Sequence, residues 1–230
     1  MGRLDRLPVG RAKVEAVRSM FDSIAPRYDL VNRVMTFGMD TGWRRKSIRS
    51  LGLAPRSMVL DVACGTGDFC RELEAAGHVP IGADFSMGML RAARTGAPLL
   101  QADALRLPLR DGSVDAATCG FALRNVADLG LLFAELARVV RPGGRIALLE
   151  VSEPKSAILR RGHRLYFHKI VPLIGGLLSD RDAYGYLPRS TAYLPPTEDL
   201  LDRLRAAGFA DAAAVQMGLG AVQLLTGTRS

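Results

Sequence analysis

The sequence predicts an α/β protein in which a mostly parallel sheet carries helices on both faces, with a helical cap ahead of it and a lid inserted late. Three observations predict this. From Met58 onward, short β-type runs alternate with helix-length amphipathic stretches. Ahead of them, residues 11–25 and 39–51 carry apolar side chains at helical spacing, with Pro26 interrupting between. Residues 154–195 then break the alternation with an apolar, basic, aromatic and proline-bearing stretch.

Residues 1–56 read as the cap, in which Val14, Val17, Met20, Phe21 and Ile24 share one helix face. Residues 57–153 form the core of the sheet. A strand at 58–62 precedes a helix near 68–76, a strand at 79–83 precedes a helix near 86–94, and a strand follows at 99–102. Another strand at 114–119 leads to a helix near 129–140, which Pro142-Gly143-Gly144 stops before a strand at 145–151. After the lid at 154–195, residues 196–230 give a helix near 197–207, ended by Gly208. Two last strands, near 209–217 and 220–226, form an antiparallel hairpin turned at Met217-Gly-Leu-Gly220 and bring the strands to seven. The four segments belong to a single domain.

Composition narrows the class. With 230 residues, 48% hydrophobic and 23% charged, the chain has the make-up of a folded globular protein, which excludes a disordered, collagen-like or disulfide-framework chain. The longest apolar stretch, Ile170–Leu178, is too short for a bilayer and is broken by Pro172, Gly175 and Gly176. Met1-Gly-Arg-Leu-Asp-Arg6 has no apolar segment behind it like that of a secretory signal, so a cytoplasmic location is expected. Cys64, Cys70 and Cys119 read as small buried hydrophobes rather than metal ligands or disulfide partners. The net charge of +8 is unevenly spread, at +7 over residues 1–60, −2 over 61–150, +4 over 151–190 and −1 over 191–230. Two basic segments sharing a face suit an anionic membrane at the inner cytoplasmic side. An Arg-rich solvated surface is the plain alternative, and no nucleic-acid motif accompanies the charge.

The sharpest local signal is Leu60-Asp-Val-Ala-Cys-Gly-Thr-Gly-Asp68, between the first strand and the first core helix. Gly65 and Gly67 permit a tight turn and close backbone approach to a ligand at a helix N-terminus. Two glycines at such a turn also occur for packing alone. Asp84, ending the second strand, adds a carboxylate suited to both hydroxyls of a ribose, and Gln101-Ala-Asp-Ala104 adds another at the same sheet edge. Asp68, just after the second glycine, would repel phosphate. The loop therefore prefers a nucleoside ligand without phosphate.

These runs, with Ala83-Asp-Phe-Ser-Met-Gly-Met-Leu90 and Ala102-Asp-Ala-Leu-Arg-Leu-Pro108, resemble class I methyltransferases that use S-adenosylmethionine. The resemblance implies a Rossmann-like fold. The family's acidic-x-Gly-x-Gly-x-Gly pattern is met from Asp61, with Ala63 in the first glycine position. It implies that Gly65, Thr66 and Gly67 approach the methionine part and ribose, that Asp84 holds the ribose hydroxyls, and that Asp103 and Ala104 meet the adenine. Gly120, where a serine is common, would contact the cofactor through its backbone alone.

Narrower motifs follow. Met20-Phe-Asp-Ser-Ile-Ala-Pro-Arg-Tyr-Asp29, Trp43-Arg-Arg45, Phe121-Ala-Leu-Arg-Asn125, Glu150-Val-Ser-Glu-Pro154 and Ala183-Tyr-Gly-Tyr-Leu-Pro-Arg-Ser190 resemble the ubiquinone and menaquinone biosynthesis C-methyltransferases, most of all the demethylmenaquinone branch. The implied reaction is C-methylation of a polyprenylated hydroquinone. Benzoquinol methylation, methylation of another phenolic metabolite and a non-catalytic S-adenosylmethionine-binding module are the alternatives. A ring carbon accepts a methyl group when it is electron-rich, as in a hydroquinol and not in its quinone. Arg124 is suited to favour phenolate electrostatically, being too strong a base to take the proton itself. Tyr28 is suited to orient the ring hydroxyl or the cofactor, and Asn125 to hydrogen-bond either partner. The plain readings are a structural salt bridge for Arg124 and a satisfied core phenol for Tyr28. In the lid, Tyr166, Phe167, Ile170, Leu173, Leu177 and Leu178 would line a path for the tail, with Arg160, Arg161, Arg164 and Lys169 at lipid headgroups. The same surface would also serve a homodimer or simply pack on the sheet.

Overall fold

The computed structural model describes residues 10–230. The side chains of Arg11, His168, Leu177, Leu178, Arg181, Asp182 and Tyr184 lie outside that description, so the expected part of Leu177 and Leu178 in the tail path does too. One seven-stranded sheet forms the centre, made of β1 (Met58–Val62), β2 (Val79–Asp84), β3 (Leu99–Gln101), β4 (Val114–Gly120), β5 (Val140–Val151), β6 (Phe209–Met217) and β7 (Val222–Arg229). Its order is β3-β2-β1-β4-β5-β7-β6. The first five strands are parallel, while β7 pairs antiparallel with both β5 and β6. The mostly parallel sheet with a closing antiparallel pair is the expected architecture.

Strand alternation sorts the core into two layers. Leu60, Val62, Ala117, Cys119, Ile146 and Leu148 face one side. There they meet α6 (Leu129–Val139) and α10 (Thr197–Ala206) through Leu132, Phe133, Leu136, Leu200 and Leu204. Val59, Ala116, Ala147, Leu149 and Leu224 face the other side, against α3 (Met39–Ser50) and α4 (Asp68–Ala75) through Ile48, Phe69 and Leu73. Helix starts are chemically marked. Ser86 caps α5 (Met87–Ala92) by accepting from Met89 N at 3.1 Å, and Asp128 caps α6 by accepting from Leu131 N at 3.0 Å.

Three boundaries differ from expectation. β5 begins at Val140, not 145, with Pro142-Gly143-Gly144 inside it at a register shift. A Cβ on Gly144 would meet Asp115 O at 2.6 Å, so the strand passes this point because the residue has no side chain. β7 starts at Val222, after a 3-10 turn at Gly218–Gly220, and runs on to Arg229. Between α1 (Gly10–Ile24) and α3, a further helix, α2 (Tyr28–Met35), follows the single turn Ala25–Arg27. Pro26 opens that turn, where its missing N–H costs nothing, instead of ending helicity for good.

The inserted stretch is helical. It contains α7 (Ala157–Leu165), a π-helical segment at Tyr166–Ile170, α8 (Val171–Leu178) and α9 (Arg181–Ser190). A third apolar cluster joins it to the N-terminal helices, with Ile24, Val31 and Met35 against Val171 and Ala183. Tyr166 OH donates to Met35 O at 2.7 Å, and the Phe37 and Tyr166 rings lie 5.9 Å apart. The N-terminal and inserted helices thus share one small core over the C-terminal ends of the strands. Among the described residues no helix is long and apolar enough to cross a membrane, and the three cysteines are free and buried.

Candidate active site

The loop after β1 turns through three residues with positive φ: Ala63 (53°), Gly65 (55°) and Gly67 (84°). Ala63 adopts a left-handed conformation in the place where the methyltransferase pattern has glycine, at a strain typical of functional turns. A Cβ on Gly65 would meet nothing within 4 Å, so the backbone there borders open space. Asp84, at the end of β2, ties this loop to the next one. Its Oδ2 accepts from Gly65 N and its Oδ1 from Ser86 N, each at 2.8 Å. Burial pushes the Asp84 carboxyl up, and the backbone N–H groups of Ser86, Gly65 and Phe85 oppose that.

A cavity of about 970 Å³ opens at this edge, lined by Gly65, Asp84, Asp103, Ala104, Gly120, Asn125 and Tyr28, among others. Asp103 Oδ1 accepts from Leu105 N at 2.9 Å, which fixes the turn after β3. A Cβ on Gly120 would strike the Phe69 ring at 2.9 Å, so the end of β4 presents backbone only. Tyr186 OH donates to Asn125 Oδ1 at 3.2 Å, holding the amide from the inserted helices.

Asp61, Thr66 and Gly67 stand behind the cavity wall. Asp61 is buried, and its carboxylate accepts from Thr118 Oγ1 at 2.8 Å and from Cys70 Sγ at 3.7 Å. Thr66 donates to Asp29 of α2. A Cβ on Gly67 would meet Thr95 Cγ2 at 2.8 Å. All three hold the loop in shape. Burial pushes the Asp61 carboxyl up to about 7, opposed by the Thr118 hydrogen bond and Arg44. Against an unfolded value near ~3.9, the unfolded chain loses this proton first, so stability falls by roughly 1.4 kcal/mol per pH unit between those values. Asp61→Asn is expected to abolish that slope. Urea unfolding from pH 4.5 to 7.5 checks it, and an unchanged slope in the variant refutes the assignment.

The N-terminal helices supply residues that the sequence reading did not single out. Asp22 Oδ1 accepts from Ser86 Oγ at 2.5 Å and from Gly88 N at 2.8 Å, anchoring α1 on the start of α5. Asp29 receives Thr66 and lies 3.6 Å from Arg71 Nη2. Lys13 is buried, donates to Val126 O at 2.9 Å and sits 3.9 Å over the Tyr193 ring. Both acidic residues lie in the motif Met20–Asp29, but nothing in their spacing names partners dozens of residues away.

A second cavity, of about 1190 Å³, lies between the N-terminal and inserted helices. Its walls are chiefly apolar, with Tyr166, Phe167 and Val171 on the inserted side. Arg124 lines this cavity and not the first. Its Nη1 pairs with fully buried Glu150 and donates to Phe121 O at 2.7 Å, and its Nε donates to Ser190 Oγ at 3.1 Å. Glu150 also accepts from Arg124 N at 3.2 Å and Val151 N at 2.7 Å. Among the described residues Nη2 carries no such bond. Phe21, Tyr28 and Phe121 border both cavities. Burial pushes the Tyr28 phenol up, keeping it a neutral donor.

The chain matches the ubiE/COQ5 methyltransferase family over residues 9–229. It is 42% identical to a demethylmenaquinone methyltransferase of Roseiflexus sp. (strain RS-1), covering 97% of each chain. A demethylmenaquinone methyltransferase of Deinococcus radiodurans is 49% identical, covering 89% of this chain and 90% of that protein. A ubiquinone/menaquinone biosynthesis C-methyltransferase of Syntrophotalea carbinolica is 40% identical, covering 93% and 94%. Among solved structures, a SAM-dependent methyltransferase of Thermotoga maritima shares the fold with a TM-score of 0.67 at 21% identity, covering 93% of this chain and 99% of that one.

Proposed function

Because the chain belongs to the ubiE/COQ5 methyltransferase family, we propose that it methylates a ring carbon of a polyprenylated hydroquinone, with demethylmenaquinol as the acceptor and S-adenosylmethionine as the donor. The observation that carries this reading is the pair of cavities meeting at Tyr28 and Phe121, one edged by carboxylates and glycine backbone, the other chiefly apolar. The first fits the donor. Asp84, Asp103 and Ala104 line its edge, and the missing side chain of Gly65 leaves room for close approach. When bound there, S-adenosylmethionine supplies an electrophilic methyl group on a sulfonium.

The chain itself positions the acceptor and excludes water. Arg124 offers Nη2 to a ring oxygen while Glu150 and Ser190 hold the rest of its guanidinium still. Tyr28 and Asn125 orient the ring where the cavities join. Transfer of labelled methyl to chemically reduced demethylmenaquinone in detergent tests the reading, run beside the oxidised quinone and a demethylated benzoquinol. Methylation of the reduced naphthoquinol alone is expected. No transfer to any of the three, with the donor bound, overturns it.

The tail leaves toward an anionic membrane. Phe37, Ile158, Leu165 and Leu173 are 73%, 83%, 61% and 62% exposed around the second cavity and its helices, with Arg161 and Lys169 exposed nearby. Vesicles containing anionic phospholipid are expected to carry the protein in flotation at low salt and release it as salt rises. Phe37→Asp should weaken that binding, and absence of binding at low salt removes the proposal.

A further inference from the structure

One wall of the acceptor cavity carries a polar stripe. Tyr28, Asn32, Thr36, Asp40 and Arg44 follow at intervals of four across α2 and α3, and all line the cavity. Tyr28 and Asn32 share a face of α2, Asp40 and Arg44 share a face of α3, and Thr36 ends α2 between them. They are joined by hydrogen bonds. Asn32 bonds Tyr28, Thr36 Oγ1 lies 2.8 Å from Asn32 O and 2.9 Å from Asp40 Oδ1, and Arg44 Nη1 lies 2.5 Å from Asp40 Oδ2. Arg44 Nη2 reaches Asp68 at 2.9 Å, while its buried Nε has no partner. Asp40 is only 3% exposed. A carboxylate buried at the edge of a mostly apolar chamber is costly, and an apolar side chain would pack there at no such cost. Its hydroxyl neighbour is a rotor with one proton and two acceptors, so Thr36 can accept a proton while passing its own to Asp40.

We propose that Thr36 and Asp40 take up the proton released by ring methylation, Thr36 touching the ring hydroxyl beside the methylated carbon and Asp40 receiving through it. This rests on the methyltransferase reading. Exchange of a ring hydrogen for a methyl group frees one proton. As the ring carbon gives its electron pair to the new C–C bond, the adjacent C–OH becomes a protonated carbonyl. Its O–H bond then breaks, leaving the pair on oxygen. That proton goes to Thr36 Oγ1, and the Thr36 proton goes to Asp40 Oδ1. The ring hydrogen afterwards moves to the carbonyl oxygen, restoring the aromatic phenol with no further proton gained or lost. The proton on Asp40 passes to water when the product leaves.

A protonated carbonyl is a strong acid, so a weakly basic carboxylate suffices. Burial pushes the Asp40 carboxyl up, but Arg44 and the Thr36 hydrogen bond outweigh it and hold it below the ordinary range, with Arg33 adding to them. Arg124, facing the same cavity, is already protonated and takes no proton, which leaves proton collection to the opposite wall.

The test compares full-length wild type, Thr36→Val, Thr36→Ser and Asp40→Asn for kcat and KM with the reduced quinol, with S-adenosylmethionine affinity measured by calorimetry. Thr36→Val and Asp40→Asn are expected to lose about 100-fold in kcat, the usual scale for general-base assistance. KM and donor affinity stay within about 3-fold, and Thr36→Ser recovers most of the rate. Wild-type kcat in Thr36→Val, or failure of Thr36→Ser to recover, overturns the proposal even if Asp40→Asn fails to fold. If wild type methylates no quinol while binding the donor, the functional reading itself fails and this one falls with it.

Discussion

Arg124→Ala is expected to cost about 3–5 kcal/mol of stability, because it strands the Glu150 carboxylate in a fully buried position. Loss of activity in that variant alone would say little about chemistry. The informative protein is Arg124→Met combined with Glu150→Gln, which removes both charges and keeps an amide oxygen for Val151 N. Buried ion pairs replaced by uncharged groups of similar volume are often neutral for stability, so most of the lost stability should return in urea unfolding. Turnover should remain about 100- to 1000-fold down, the scale on which loss of one preorganised hydrogen-bond donor acts, with donor affinity little changed. A stable, fully active double variant would make Arg124 a structural salt bridge and nothing more.

Asp84→Ala should weaken S-adenosylmethionine binding about 100-fold. Two hydrogen bonds from ribose hydroxyls to a charged acceptor are worth roughly 1.5 kcal/mol each, and each 1.4 kcal/mol is tenfold in affinity. The variant also frees Gly65 N and Ser86 N, so the glycine loop loses its tie to β2. Asp84→Asn keeps one oxygen as an acceptor and should fall between. Calorimetric titration decides it, and wild-type affinity in Asp84→Ala removes the ribose assignment.

The edge of the first cavity was legible in the sequence because its residues sit at strand ends that alternation locates. Gly65, Asp84, Asp103, Ala104 and Gly120 all come to one cavity. Asp61, Thr66 and Gly67 belong to the same motif but were not separable from those residues by pattern. Which residues of a turn face a ligand and which face the protein depends on how α4 and α2 pack around it. Helix α2 was missed because Pro26 reads as a breaker, and the start of β5 because Pro142-Gly-Gly reads as a stop. In both places the surrounding packing accommodates what local preference disfavours.

Local periodicity, glycine placement and carboxylates at strand ends determined the α/β layering, the closing antiparallel pair and the glycine-bearing loop after β1, since each depends on neighbours within a few residues. Tertiary structure alone decided the rest. It set Asp22 on the start of α5, 64 residues away, and Asp29 on Thr66, 37 residues away. It turned Arg124 into the partner of Glu150, and it lined a second, chiefly apolar cavity with residues from the N-terminal and inserted helices. Burial and pairing across such separations are properties of the folded packing, in which charges are desolvated and matched only once distant segments meet.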